Sequence, residues 1–166
     1  MALQGSIKVI ANFTNTLAQS VSTNSSLAQL AATLAYVDGS GAAQANKIWA
    51  PITQYSVAQS TNTDIDLAGS LVGTYGTVVF AALKGLVIKA GDANLGNLTI
   101  GNVSNGITAF LGAATHSIIL QPGGVFAIAS PGASGYSLTA GTADLLRVAS
   151  AGTTGTYTWD ILAWGI

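Results

Sequence analysis

A single histidine, six aspartates, no glutamate and no cysteine are what this chain offers for chemistry. His116 stands in Thr115-His116-Ser117 at the mouth of an apolar strand pattern. A Ser-His-Asp triad would have to use this one residue, and a His-rich metal site or a His-paired cysteine cannot be built. Its position reads as the surface end of a strand. Asp64 and Asp66 lie two apart, the spacing of a carboxylate pair that could hold calcium or flank a glycosidic bond. Their alternation with Ile65 and Leu67 accounts for them as the outward residues of a strand whose other face enters a core. Asp38-Gly39-Ser40-Gly41 has the opening of a calcium loop but lacks the oxygen ligands and terminal glutamate that should follow, and it reads as a glycine-rich turn. The chain carries no Walker-type loop and no dinucleotide fingerprint. The expectation is a protein that is not an enzyme, with no catalytic residue, no cofactor and no metal; a glycan hydrolase working through Asp64 or Asp66 is the reading set aside.

Whatever elements hold these residues must do so with very little charge. Charged side chains make up 7% of the 166 residues, five basic against six acidic, where an ordinary globular protein carries roughly 25%. The outer surface must then be built from Thr, Ser, Asn, Gln, Gly and Ala. Such a surface has little like-charge repulsion to keep copies apart, which favours association. Without a basic excess there is no electrostatic footprint for nucleic acid. The absence of cysteine removes disulfides and thiolate metal sites. The opening MALQGSIKVIANFTN lacks a basic segment followed by an apolar core, so synthesis and release in a cytoplasm is expected.

The richest apolar stretch is Val78 to Lys89, fenced by turn residues. It reads as one long bent strand or two short ones, buried on both faces, with Lys84-Gly85 as the bend. With two lysines it falls short of the roughly 20 apolar residues needed to cross a bilayer as a helix, so no membrane association is expected. From Ile48 onward short strand patterns follow one another: 47–50, closed by Pro51, then 55–59, 62–68, 97–103, 107–111, 116–121, 125–130, 136–139, 144–149 and 157–164. Ser104-Asn105-Gly106, Pro122-Gly123-Gly124 and Ser130-Pro131-Gly132 supply turn chemistry between them. Short strands at this spacing predict an all-β chain, a jelly-roll-like β-sandwich over residues 61–166. Residues 1–60 are richer in Ser, Thr, Asn, Gln and Ala and form an extended N-terminal arm or outer layer, in the same domain or apart from it. Within it, Ser6 to Phe13 alternates as a strand, Thr14 to Ser26 reads as a loop, and Ser26 to Val37 suits a helix or a strand equally.

The last strand pattern carries a specific signal. One face of Tyr157 to Trp164 holds Tyr157, Trp159, Ile161 and Ala163; the other begins polar with Thr158 and Asp160 and turns apolar at Leu162 and Trp164. Those two residues need cover. Either the N-terminal arm supplies it, or Leu162 and Trp164 are a candidate subunit interface.

Read together, Asp38 to Trp49, Asp64-Ile65-Asp66-Leu67-Ala68-Gly69, Lys84 to Lys89, Pro122 to Ala127 and Tyr157 to Ile161, with the opening Ala11 to Leu17, resemble a group of small structural proteins from the particles of tailed bacteriophages. The similarity runs in the same order along nearly the whole chain. It implies a virion component without catalytic residues: a capsid decoration or cement protein on the head, or alternatively a tail or fibre component. It departs from the pattern at Asn46, where an acidic residue is expected before Lys47-Ile48-Trp49. The resemblance implies a homodimer or homotrimer that also contacts the major capsid protein or neighbouring virion proteins. In the alternative, a glycan-binding receptor module, Trp49, Tyr55, Tyr75 and Tyr136 would stack on sugar faces.

Overall fold

The computed structural model describes residues 2–18, 23–152 and 154–166. The chain is all-β apart from one helical turn. Its strands are β1 (Gln4–Ala18), β2 (Thr23–Val37), β3 (Lys47–Trp49), β4 (Tyr55–Ala58), β5 (Asn62–Asp66), β6 (Leu71–Gly73), β7 (Gly76–Val78), β8 (Ala82–Ala90), β9 (Leu98–Gly101), β10 (Ser117–Leu120), β11 (Val125–Ala129), β12 (Tyr136–Ser137), β13 (Leu145–Ser150) and β14 (Thr156–Gly165), with α1 at Thr108–Leu111.

Two antiparallel sheets form a sandwich. One has the order β10-β9-β13-β5; the other runs β11-β8-β14-β3, with β12 added to β8 and β4 to β14. β3 and β4 both lie along β14, one at each half. Pro51 separates them, because its ring nitrogen has no hydrogen to give the ladder. The residues expected as part of an arm or outer layer therefore divide: 47–58 complete the sandwich and only the chain before Asp38 stands apart as a strand pair. Between the sheets, Ile65, Leu98, Ile100, Leu146 and Val148 of one layer meet Trp49, Leu86, Ile88, Tyr157, Trp159 and Ile161 of the other in a single core.

Alternation decides which side chains enter that core. Ile65 is buried while Asp64 and Asp66 face out, as their spacing predicts. Along β14 the burial pattern alternates in the same way. The central apolar run is broken after Val78, the end of the small β6–β7 hairpin, and resumes as the nine-residue β8. The expected bend is a β-bulge: Trp164 pairs with Gly85 and Gly165 with Leu83, so Lys84 is the unpaired extra residue.

Two sequence expectations change and one left open is decided. Ile107 to Leu111 is not a strand; Ile107 is buried and the next four residues make the turn α1, closed by Gly112 at φ 87° with its N–H on the Thr108 carbonyl. A short apolar run of this kind does not distinguish the two by periodicity. Ser26 to Val37, open between helix and strand, is strand. Thr14 to Ser26 is largely strand as well, to Ala18 and again from Thr23, while 19–22 lie outside the described residues.

β1 and β2 pair residue for residue from Gln4↔Val37 to Ala18↔Thr23. At about 3.4 Å per residue, strands of this length make a ribbon about 50 Å long. The sandwich strands are shorter, ten residues at most.

Candidate interaction surface

The surface around Leu162 and Trp164 is built by the strand register. On the outer face of the six-stranded sheet, Ala127, Val87 and Leu162 form one row, and Ala129, Gly85, Trp164 and Ile48 the next. The row beyond them is Val125, Lys89 and Asp160, with Lys89 opposite both and the Asp160 carboxylate accepting from Gln54 Nε2 at 3.0 and 3.1 Å. The Trp164 indole occupies the space above Gly85: a Cβ there would overlap Trp164 Cζ2. Tyr36, near the end of β2, meets the indole edge-on, ring centroids 5.8 Å apart. The arm therefore covers part of Trp164. Leu162 stays 38% exposed.

The root of the ribbon is held by Lys84, the residue placed in the bulge. Tyr36 Oη donates to the Lys84 carbonyl at 3.2 Å, and burial raises the Tyr36 hydroxyl above its ordinary pKa. The Lys84 side chain is fully buried, and its ammonium donates to the carbonyls of Gly41, Gly132 and Ala133. Burial pushes its pKa down, since desolvation disfavours the charged form. Three carbonyl acceptors use the three hydrogens of the ammonium and oppose that shift. One residue thus ties both the last residues of β2 and the turn that follows them to the middle of the sheet.

Beyond its root the ribbon has two unlike faces. Residues directly opposite in an antiparallel pair share a face, so the register Ile7↔Leu34, Val9↔Ala32, Ala11↔Leu30 and Phe13↔Ala28 places these eight apolar residues, with Tyr36, on one side. The other side carries Lys8, Asn12, Thr14, Gln29 and Thr33 among a few apolar residues. The apolar side is buried at the root, where Tyr36 is 3% exposed, and open farther out, where Phe13 is 72% and Leu30 74% exposed. Between β1 and the sheet lies a groove of about 780 Å³, walled by Ile7, Val9, Val87, Val125, Leu162 and Trp164 among others.

The remaining sequence candidates do not join this surface. Asp64 lies on the other sheet, its carboxylate bound to Arg147 through Nε and Nη2, each at 2.7 Å, and this partner holds it below the ordinary aspartate pKa. Asp66 is exposed beside it on β5. His116 is exposed just before β10, and its Nδ1 lies 2.9 Å from the Leu111 carbonyl. Asp38 to Gly41 is the turn that leaves the ribbon, with Gly41 N–H donating to Gln44 Oε1. Among the described residues no three potential metal ligands gather, and no helix is long and apolar enough to cross a membrane. The aromatic residues that would form a sugar platform are mostly occupied. Trp49 is buried, and Tyr55 stacks on Trp159 with centroids 4.4 Å apart. Tyr136 packs against Phe110; Tyr75, at the β6–β7 turn, is exposed.

The ribbon face is the feature the residues alone conveyed least. Its signal was present in Ala28, Leu30, Ala32, Leu34 and Tyr36, an unbroken apolar series at period two, but a helical reading of Leu27, Leu30, Ala31 and Leu34 competed with it. Comparison with protein-family models, curated proteins and solved structures finds no match to this chain.

Proposed function

We propose that this protein is a structural component of a tailed bacteriophage particle, a capsid decoration or cement protein that binds the assembled head and stabilises it. The observation that carries this reading is the pairing of a nearly uncharged chain with an extended apolar ribbon and an apolar sheet face that none of the other described residues covers fully. Exposed apolar surface on this scale marks a place where another protein sits. The kind of assembly in this reading comes from the resemblance in sequence to phage particle proteins, which implies a chain made in the bacterial host and carried in the virion.

The mechanism is mechanical. Packaged DNA presses capsid subunits apart, and a protein that binds only the assembled lattice stabilises that state by mass action. The neighbours in this reading are copies of the protein itself and the major capsid protein.

The strand order supports a jelly-roll form of the sandwich. With β3 and β4 taken as one interrupted strand, nine strands divide into two sheets, and every connection between successive ones crosses from one sheet to the other except β9 to β10 and β11 to the two-residue β12. Double-sheet jelly rolls are a recurrent architecture of viral capsid domains. The glycan-binding alternative finds little support in the placement of Trp49, Tyr55 and Tyr136.

Binding to purified empty heads, measured across ionic strength, tests the proposal. Because few ion pairs are available for screening, affinity is expected to change little between low and moderate salt. No binding to heads, or a steep loss of binding over that range, would overturn it.

A further inference from the structure

We propose that the apolar face of the β1–β2 ribbon is a self-association surface, and that its occupant is the same face of a second copy of this chain.

A two-stranded hairpin is at best marginally stable alone in water and needs a further layer on its apolar face. Near the root Trp164 supplies part of that layer, through Tyr36. Farther out, Phe13 and Leu30 have none from the described residues of their own chain.

The pattern of sizes on that face selects the partner. Going outward along β1 the residues are Val9, Ala11, Phe13; opposite them on β2 are Ala32, Leu30, Ala28. Each cross-strand pair joins one larger and one small residue, and the larger one changes strand at every step. Over these three pairs the checkerboard sets a projection beside a hollow; inward of them Ile7 and Leu34 are both large. A two-fold related copy presents the same relief reversed, so that projections enter hollows, as isologous contacts require. The face carries no charge, so bringing two copies together sets no like charges against each other.

The ribbon face supplies part of the area this role needs. The apolar span from Ile7 to Phe13 is about 24 Å long and about 10 Å wide, ~240 Å² per copy and ~500 Å² for two, so the rest of the ~1,000 Å² at which specific interfaces begin has to come from the sheet face beside it. Leu162 and Val87, on the far wall of the groove, can extend that area and offset what Trp164 already covers at the root.

This goes deeper into the proposed structural role without depending on the head as target, and the experiment separates the two. The mass of the full chain is followed by sedimentation against concentration for wild type, Leu30→Lys, Phe13→Ser and Leu27→Lys. Leu27 is as open as Leu30 but lies on the opposite face, opposite Thr14. Wild type is expected to associate, Leu30→Lys and Phe13→Ser to weaken association by at least ~10-fold, and Leu27→Lys to match wild type. Near-ultraviolet circular dichroism from Trp49 and Trp159 reports that the sandwich has kept its packing. In wild type, hydrogen exchange at 28–34 is expected to slow as concentration rises, a readout that needs no variant. A wild type that stays monomeric, with exchange independent of concentration, overturns the proposal even if it binds heads through the ribbon. Equal effects of Leu27→Lys and Leu30→Lys overturn it too.

Discussion

The Trp164 indole fills the space directly over Gly85, so close that a methyl group on Gly85 would overlap Cζ2, Cε2 and Cη2 of the ring. The pair lies opposite in register on β14 and β8, and the ring displaced onto the glycine is the one that Tyr36 contacts from the ribbon. Gly85 is therefore the seat of the joint between arm and sandwich. Gly85→Ala is expected to push the indole outward and cost about 1–3 kcal/mol, the usual range for overpacking. Thermal unfolding measures the loss. Limited proteolysis should also show faster cutting between 4 and 37 than in wild type. If the overlap is the cause, adding Trp164→Ala to Gly85→Ala should cost less than the sum of the two single changes.

Lys84 holds the same joint from inside. Replacing it by Met keeps the bulk but leaves the carbonyls of Gly41, Gly132 and Ala133 without their donor. Gly132 and Ala133 are exposed and Gly41 half-buried, so water can replace part of the lost donation; the cost stays at the low end of the about 1–3 kcal/mol of an unsatisfied buried acceptor and is offset further by relief from burying an ammonium. The expected net result is modest destabilisation with a local signature: faster hydrogen exchange at 38–44 and 130–135, while β9 and β13 keep wild-type protection. Uniform loss of protection across both sheets would show that Lys84 supports the whole core and not the joint.

How far the residues alone reveal this arrangement depends on whether an element's logic is local. Asp64 to Leu67 was legible because alternation is a property of neighbours, and the register of β5 with β13 leaves it unchanged. The faces of Tyr157 to Trp164 were legible for the same reason, and with them the need to cover Leu162 and Trp164. The ribbon was half legible. Ser6 to Phe13 alternates, but the Ser, Thr and Asn content that follows resembles a loop, and the apolar face exists only once Ala11 is known to lie opposite Leu30. Lys84 was legible as an irregularity in a strand and not as a buried clamp, because its acceptors are supplied by turns more than forty residues away on either side.

Asn94 provides a substitute for a strand. Its Oδ1 accepts from the Thr158 N–H at 2.8 Å and its Nδ2 donates to the Thr158 carbonyl at 3.0 Å, so one side chain satisfies both backbone groups where β8 has ended. Asn94→Ala leaves the Thr158 N–H without its acceptor, while the Thr158 carbonyl keeps the Gly91 N–H at 2.8 Å, and about 1–3 kcal/mol of stability should be lost. Asn94→Asp retains the acceptor but sets a carboxylate against the Thr158 carbonyl, and is expected to recover little. Denaturant unfolding of the two variants measures both effects; full rescue by Asp would mean that only the Thr158 N–H matters.

Asp64 and Arg147 give the fold a dependence on acid. Hydrogen bonding from Arg147 depresses the Asp64 pKa in the folded chain relative to its ordinary 3.8, while the unfolded chain keeps that value. A carboxyl depressed on folding binds fewer protons in the folded state, so stability falls as pH falls. The contribution is complete above pH 3.8 and disappears as pH drops through the lower folded-state value. Both side chains are partly open to water, 28% exposed for Arg147 and 32% for Asp64, which keeps the pair near the surface range of about 0.2–1 kcal/mol. Asp64→Asn should therefore lower stability by that amount at neutral pH and by progressively less below pH 3.8, until the two proteins unfold alike. Asp66→Asn, which removes a carboxylate without a paired cation, should remain within about 0.5 kcal/mol of wild type throughout. Denaturant midpoints for the three proteins from neutral pH to pH 2 provide the comparison. A difference between wild type and Asp64→Asn that persists undiminished in acid would exclude the ion pair as its source.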